Sequence, residues 1–289
     1  MTEKPVIAVI GGTGLYQLAG LEEIQALEID TPFGRPSAPL VTGYLTNKKV
    51  VFLARHGIGH HIMPSEVNYL ANIYALKSLG VERVVGVSAC GSLRDDYAPG
   101  HVVIPDQLVD FTRQRSRTFF GESLVAHVSM ADPFCLSLSS LAYQALTQCE
   151  VITHQGGTAI TIEGPRFSTR AESHLFRAWG GSIVNMTTCP EAFLAREAEM
   201  CYVSIAHVTD YDAWHAIEEP VTIETVIQTL NRNTSVIQES IRKLIEILPQ
   251  EDDCACRHSL EKAIITSPDR ISLETRKKLN LLVNKYLPA

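Results

Sequence analysis

The chain has 289 residues, 45% of them apolar, with 25 basic and 32 acidic side chains and a formal net charge of −7. That length and apolar content suit one large domain or two small ones with ample core. The negative balance excludes a general attraction to nucleic acid or to an anionic membrane, so an anionic ligand has to be held by local donors.

The opening Met-Thr-Glu-Lys-Pro runs straight into Val-Ile-Ala-Val-Ile and lacks the pattern of a signal peptide. No apolar run approaches the roughly 20 residues of a membrane helix. A soluble, cytoplasmic protein is expected. The seven cysteines are scattered, which argues against a secreted disulfide framework. Cys254 and Cys256 form the one local pair, with His258 close behind. A metal site would want more ligands at defined spacing, so the expectation is a free-thiol tail and no metal; a disulfide through this pair and a metal ion are the alternatives.

Val6 to Ile10 reads as a strand buried on both faces, followed by the tight turn Gly11-Gly12-Thr13-Gly14. Val50 to Ala54 is a second such run. Ser65 then caps a helix with Val67, Leu70, Ala71 and Tyr74 on one face, and Gly80 stops it. Val84 to Val87 is the next strand, with Ser88 to Ser92 as the turn after it. This β-α-β order predicts an α/β fold with parallel strands. Thr169 and Glu172 form a capping-box pattern for a helix ending near Gly180. Ser182 to Met186 reads as a strand, Pro190 to Met200 as a helix and Cys201 to Val208 as a buried strand. A long helix striped by Val226, Leu230, Ile237, Ile241, Leu244 and Ile245 starts at Thr222. The acidic stretch Glu251-Asp252-Asp253 leads into a helical tail over 259–287. The tail is too short to bury a core of its own, so 1–289 is treated as one domain.

In open α/β sheets ligands gather at the carboxyl ends of strands. Four loops there carry chemistry. Gly11 to Gly14 offers backbone N–H groups and the Thr13 hydroxyl to an anion. Its fit to a dinucleotide fingerprint is poor, because Gln17 stands where the third glycine belongs. A dinucleotide-binding protein with Asp30 on a ribose is therefore the weaker alternative. Arg55 provides a planar fork for phosphate oxygens, and His56 can exchange a proton near neutrality. Ser88 adds a hydroxyl. Val184 to Thr188 sets Met186 beside Thr187 and Thr188, an apolar surface next to two hydroxyls. No H-E-x-x-H metal motif and no G-x-S-x-G nucleophile elbow is present. Bound phosphate acting as the nucleophile fits this inventory.

These motifs resemble those of the purine nucleoside phosphorylases, and among them the branch that cleaves 5′-methylthioadenosine. The matching stretches are I-G-G-T-G-L at 10–15, D-T-P-F-G-R-P-S at 30–37, L-A-R-H-G at 53–57, M-P-S-E-V-N-Y at 63–69, A-C-G-S-L-R at 89–94, T-I-E-G-P-R-F-S at 161–168, N-M-T-T at 185–188 and T-D-Y-D at 209–212. The resemblance implies a nucleoside phosphorylase I fold, a central mixed twisted sheet curling toward a barrel with helices around it. It implies phosphorolysis of 5′-methylthioadenosine to adenine and 5-methylthioribose 1-phosphate, with inorganic phosphate as co-substrate and no cofactor. A purine nucleoside phosphorylase of broader or 6-oxopurine preference is the alternative. By the same resemblance Thr13, Arg55, His56, Ser88, Ala89 and Thr187 bind phosphate. Ala89 and Met186 line ribose and base, and Phe167 stacks near the base. Ser168 selects an amino purine, and Ile223 shapes the methylthio end. The family is oligomeric, a trimer or a dimer of trimers, with His127 lent by a neighbouring subunit.

Asp210 and Asp212 complete the pattern. A departing purine is a poor anion unless N7 is protonated or strongly hydrogen-bonded, and a carboxylic acid can supply that. Two neighbouring carboxylates do not easily both ionise, so one pKa rises. Asp210 is assigned to N7 and Asp212 to the 6-amino group. An acid here favours a 6-amino base, because it would face a 6-oxo group unpaired.

Overall fold

The computed structural model describes residues 4–11, 18, 20–215, 223–249 and 253–287, with side chains of the long helix given from 234 onward. Eleven strands among them form one mixed sheet: β1 (Ile7–Gly11), β2 (Glu22–Leu27), β3 (Leu40–Leu45), β4 (Lys48–Ala54), β5 (Arg83–Ser92), β6 (Val102–Ile104), β7 (Gln107–Phe111), β8 (Thr153–Gln155), β9 (Thr158–Ile162), β10 (Gly181–Asn185) and β11 (Cys201–Asp210). The α-helices are α1 (Tyr69–Ser78), α2 (Leu136–Leu146), α3 (Arg170–Ala178), α4 (Thr188–Glu197), α5 (Ile223–Ile247) and α6 (Leu273–Val283).

The strand order is β2-β3-β4-β1-β5-β10-β9-β7, and the sheet branches at β5, which also pairs with β11; β11 leads on to β6 and β8. β1, β4, β5 and β11 run parallel, as the β-α-β reading predicts. The apolar runs alternate between two cores. Ile7, Val9, Val85, Val87, Val203 and Ile205 face α2 and α5, through Leu138, Ala142, Ile237 and Ile241. Ala8, Ile10, Val51, Leu53, Val84 and Tyr202 face the other side, against Ile73 and Leu76 of α1 and Leu194 and Ala195 of α4. A strand covered on both faces has no polar side to show, which is why these runs are continuous rather than alternating in sequence.

Three local expectations are corrected. Ser65 does not cap α1. The chain first turns, with the Glu66 and Val67 N–H groups donating to Met63 O, and Asn68 becomes the cap by accepting from Ala71 N at 3.1 Å. Ser88 to Ser92 is not a turn but the second half of β5, because β11 supplies a ladder partner along its whole length up to Gly91. The tail is not helical throughout. Short 3-10 turns at Ala255–His258 and Pro268–Arg270 precede α6, and Pro268 and the Ser272 cap delay the helix. Leu260, Ala263, Ile271, Leu279 and Leu282 of this tail are buried in the same core as α1 and α4. The capping box of Thr169 and Glu172 forms as expected, and Gly80 follows α1 with φ +80°. Thr222 lies outside the described residues.

Gly86 leaves the least room for a side chain among the described glycines: a Cβ there would lie 2.0 Å from the Tyr202 hydroxyl and 2.8 Å from Glu191 Oε1. Gly86→Ala should lower stability to urea by about 1–3 kcal/mol or more, the ordinary cost of overpacking. An unfolding midpoint equal to that of the parent would show that Tyr202 and Glu191 move aside freely.

Candidate active site

The site follows from how β5 changes neighbours. One edge of β5 is covered by β11 from Arg83 to Gly91. The opposite edge pairs with β1 only at Val84 to Gly86, and with antiparallel β10 only at Gly91 and Ser92. Between them, Val87 to Cys90 have no ladder partner on that edge among the described residues, which leaves a gap in the ladder near the carboxyl ends of β1 and β4. Strand order changes hand at such a point, and ligands bind there in α/β sheets. β10 pairs Val184 with Gly91. β10 ends at Asn185, so Met186 and Thr187 leave the sheet just beyond its pairing with Gly91 and Ser92, and Arg55 and His56 follow the end of β4.

Arg55 N–H donates to Gly11 O at 3.0 Å, tying the end of β4 to that of β1. Its guanidinium is only 1% exposed. Nε and Nη2 donate to the two carboxylate oxygens of Glu191, each at 2.8 Å, while Nη1 donates to Val87 O at 2.8 Å and Nη2 to Ile10 O at 3.2 Å. Glu191, fully buried on α4, also accepts from Tyr202 OH at 2.7 Å. Arg55 is therefore neutralised and held rigid by its own protein, and one Nη1 hydrogen remains for an anion. The sequence reading had it as an open fork for phosphate; the structure makes it chiefly a brace of the crevice.

His56 is buried and stacks on His60 at 4.4 Å. Its Nδ1–H donates to Ile62 O at 2.9 Å, which leaves Nε2 as the unprotonated nitrogen. Burial, with the Arg55 charge beside it, pushes its pKa down to about 4. The Ser88 hydroxyl is buried and has no hydrogen-bond partner among the described residues, so a donor or acceptor there has to come from elsewhere. Thr187 is buried at the N-cap of α4 and its side chain makes no capping bond. Thr13, in the Gly11 to Gly14 loop, lies outside the described residues, as does the side chain of Ile223.

The acid pair sits at the end of β11. A bulge between Val208 and Asp210 sets Asp210 opposite Gly91, and bulges of this kind re-aim side chains beside active sites. Asp210 is 8% exposed; Oδ2 accepts from the Thr209 hydroxyl at 2.6 Å and Oδ1 from the Asp212 backbone N–H at 2.8 Å. Asp212 opens a 3-10 turn with φ +51°, a conformation that Asp tolerates better than most residues. Trp214 in that turn donates from Nε1 to Ser92 O at 2.7 Å and pins it to β5. Burial raises the pKa of Asp212, and the Glu172 charge adds to it; the Ser173 and Ser168 hydroxyls and the Ala213 N–H pull partly against. Among the described residues, Asp212 Oδ2 and the Ser168 and Ser173 hydroxyls have no hydrogen-bond partner of good geometry. Burial is the first cause of the upward shift at Asp212, ahead of the charge of any neighbouring acid. Gly91 is what admits the pair: a Cβ there would lie 2.9 Å from Asp210 Oδ1 and 3.1 Å from Asp212 Cβ.

Phe167 stands 39% exposed on the loop between β9 and α3, beside Ser168. Met186 packs its sulfur against Gly164 of that loop, where a Cβ would come within 2.6 Å. His127 is exposed, and its backbone N–H donates to Ala263 O of the tail at 2.9 Å. Two groups escaped the sequence reading. Glu191 carries no motif. Arg115, buried, donates from Nη1 to Met186 O at 2.6 Å and Cys189 O at 2.7 Å, from Nη2 to Glu163 O at 2.6 Å and from Nε to Glu163 Oε1 at 3.0 Å. It locks the Met186 turn to the Phe167 loop. Only its position in an otherwise polar stretch marks it, and that is no signal.

A mixed sheet with buried hydroxyls and a buried acid pair at its strand ends is the setting in which α/β enzymes bind small molecules. The chain belongs to the phosphorylase superfamily, whose family model matches residues 6–246. It is 47% identical over 285 residues to an S-methyl-5′-thioadenosine phosphorylase of Geobacter sulfurreducens, covering 98% of this chain and all of that one. A crystal structure of methylthioadenosine phosphorylase from an antarctic soil metagenomic library superposes with a TM-score of 0.92 at 44% identity, over 97% of this chain and 99% of that one. The Schistosoma mansoni methylthioadenosine phosphorylase in complex with adenine gives 0.82 at 38% identity, over 86% and 93%.

Two expectations follow. Arg55→Ala strands the Glu191 carboxylate in the core and should cost about 3–5 kcal/mol in urea unfolding, with Glu191→Ala costing a similar amount and the double variant less than their sum; additive losses would mean that the two do not form a unit. The second concerns pH. The folded pKa of His56 lies near 4, below its ordinary 6.5, and buried His207 is pushed to about 4 in the same way. The unfolded chain then binds more protons between those values, so stability falls as pH drops from about 6.5 to 4. Inorganic phosphate beside His56 should make that fall shallower. An unfolding free energy flat across this window contradicts the neutral buried imidazoles.

Proposed function

We infer that this protein is an S-methyl-5′-thioadenosine phosphorylase that splits 5′-methylthioadenosine with inorganic phosphate into adenine and 5-methylthio-α-D-ribose 1-phosphate, serving purine and methionine salvage. The observation that carries the reading is the pairing of a hydroxyl-lined crevice on one side of the β5 gap with a buried acid pair on the other. Likeness over almost the full length to relatives of that name supports it.

Phosphate occupies the crevice, met by Ser88, the Ala89 backbone, Thr187, Thr13, the spare Arg55 hydrogen and His56. With Nδ1–H fixed on Ile62 O, His56 Nε2 stays unprotonated and accepts a hydrogen bond from the P–OH of the incoming monohydrogen phosphate. Met186 lies under the ribose, and Phe167 covers the base. Asp210 faces N7 and Asp212 the 6-amino group. Carboxylates this close do not easily both ionise, so the pair holds one proton, and Asp210 is the member that passes it to N7 while ionised Asp212 accepts from the amino group. As the C1′–N9 bond lengthens, electrons move into the base and N7 takes the proton; phosphate oxygen then closes on the oxocarbenium carbon from the opposite face. No covalent enzyme intermediate is required. Ser168, whose hydroxyl acts on Asp212, favours the amino purine. Residues 1–289 act as one domain, the unit is a trimer or a dimer of trimers, and the exposed His127 is offered to a neighbouring copy. The protein works in the cytoplasm.

Steady-state release of base from 5′-methylthioadenosine, adenosine, inosine and guanosine, with and without phosphate, tests this directly. Phosphate-dependent adenine release with 5′-methylthioadenosine as the best substrate is expected; inosine as the best substrate would end the base assignment. Asp210→Asn should lower kcat on 6-amino nucleosides about 10²–10⁴-fold while the phosphate KM moves little. Ser88→Ala should do the reverse, and equal effects of the two variants on both parameters would remove the division of the site.

A further inference from the structure

We propose that Cys135, Cys201, Cys254 and Cys256 form a tetrathiolate site for a soft divalent cation, zinc being the best match, that fastens the C-terminal tail to the sheet. Their Sγ atoms all lie within 4.8 Å of one another. Cys135 Sγ and Cys254 Sγ are 3.6 Å apart. A tetrahedron with zinc–sulfur bonds of about 2.3 Å has sulfurs about 3.8 Å apart, so the cluster needs only a slight contraction to close on an ion. The local Cys254-Ala255-Cys256 pair lacked ligands in the sequence; the fold supplies the other two from 119 and 53 residues upstream of Cys254, at Cys135 and Cys201.

Each ligand is placed by structure. Cys135 is the N-cap of α2, makes no capping bond with its side chain, and is anchored by its backbone N–H on Tyr202 O at 2.8 Å. A helix N-terminus favours a thiolate. Cys201 is the first residue of β11, and Cys254 caps the 3-10 turn that contains Cys256. Three of the four are buried and Cys254 is half-buried, giving a closed site with one route to solvent. The surroundings suit a complex with two net negative charges. Arg196, whose charge acts on Cys256, donates to Phe134 O next to Cys135. Arg257, next to Cys256 in the chain, adds a second positive charge nearby, its guanidinium paired with Glu82 at 2.8 Å. Binding one zinc ion releases the four thiol protons and changes no oxidation state. β11 separates Cys201 from Asp210 by nine residues, about 30 Å of strand, so the site is structural and apart from the crevice. It would join three distant segments and hold the tail, whose preceding acidic stretch offers no apolar anchor.

The test uses the full chain, purified under reducing conditions and then incubated with zinc and desalted. Plasma mass spectrometry should give one zinc per chain, and a mercurial should release it to a colorimetric chelator. Cys149→Ser, outside the cluster, should keep the metal; Cys254→Ser/Cys256→Ser should lose it. Cobalt added to the reduced parent should give thiolate charge-transfer absorption and strong visible bands of a tetrahedral ion, a readout that needs no variant. Reduced, folded protein that takes up neither zinc nor cobalt overturns the proposal, and so does protein handled under reducing conditions whose four sulfurs are found paired as disulfides.

Discussion

The buried contact of Arg55 with Glu191 is the constraint on which the rest depends. Its guanidinium is bonded to Ile10 O at the end of β1 and to Val87 O, just where β5 leaves β1. Its partner stands on α4, the helix that follows the Thr187 turn, and shares a hydrogen bond with Tyr202 of β11. One ion pair thus spans β1, β4, β5, β11 and α4 at the point where the sheet must stay open. Desolvating two charges is costly, and a well-packed apolar pair could be equally stable. What an apolar pair could not do is bond to two strand-end carbonyls and hold them a fixed distance from the next helix. The pair exchanges cheap stability for a fixed crevice.

Two other devices complete that geometry. Glycines 86 and 91 remove Cβ atoms where Tyr202, Glu191 and the acid pair crowd β5. The bulge before Asp210 turns a residue that would continue the ladder toward the same gap. Arg115 then fixes the Met186 turn against the Phe167 loop, so that the apolar and the acidic walls of the site share one frame. Catalysis asks little of any single group beyond being held still, dry and at the right separation, which is how electrostatic preorganisation works.

Much of this was legible in the residues. The two-sided strands showed as continuous apolar runs, and Thr169 with Glu172 announced its helix. Hydroxyls, Met186 and acids at strand ends drew attention to the crevice before any fold was known. The rest depends on long-range pairing. Ser88 to Ser92 contains the small residues of a turn and becomes strand because β11 lies alongside it. Ser65 loses its capping role to Asn68 because the chain turns once more first. Glu191 and Arg115 are ordinary charged residues in sequence, and only three-dimensional enclosure reveals what they hold. Cys135 and Cys201 gave no hint of Cys254 and Cys256 for the same reason: spacing reports only neighbours along the chain.

The central claim is that the unpaired stretch of β5 is the place where phosphate and purine meet. A crystal structure of the protein soaked with adenine and phosphate tests it most directly. The account predicts phosphate against Ser88 and Thr187, and the purine's N7 and 6-amino edge within hydrogen-bond distance of Asp210 and Asp212. Adenine bound elsewhere, with those two carboxylates facing solvent, would contradict it.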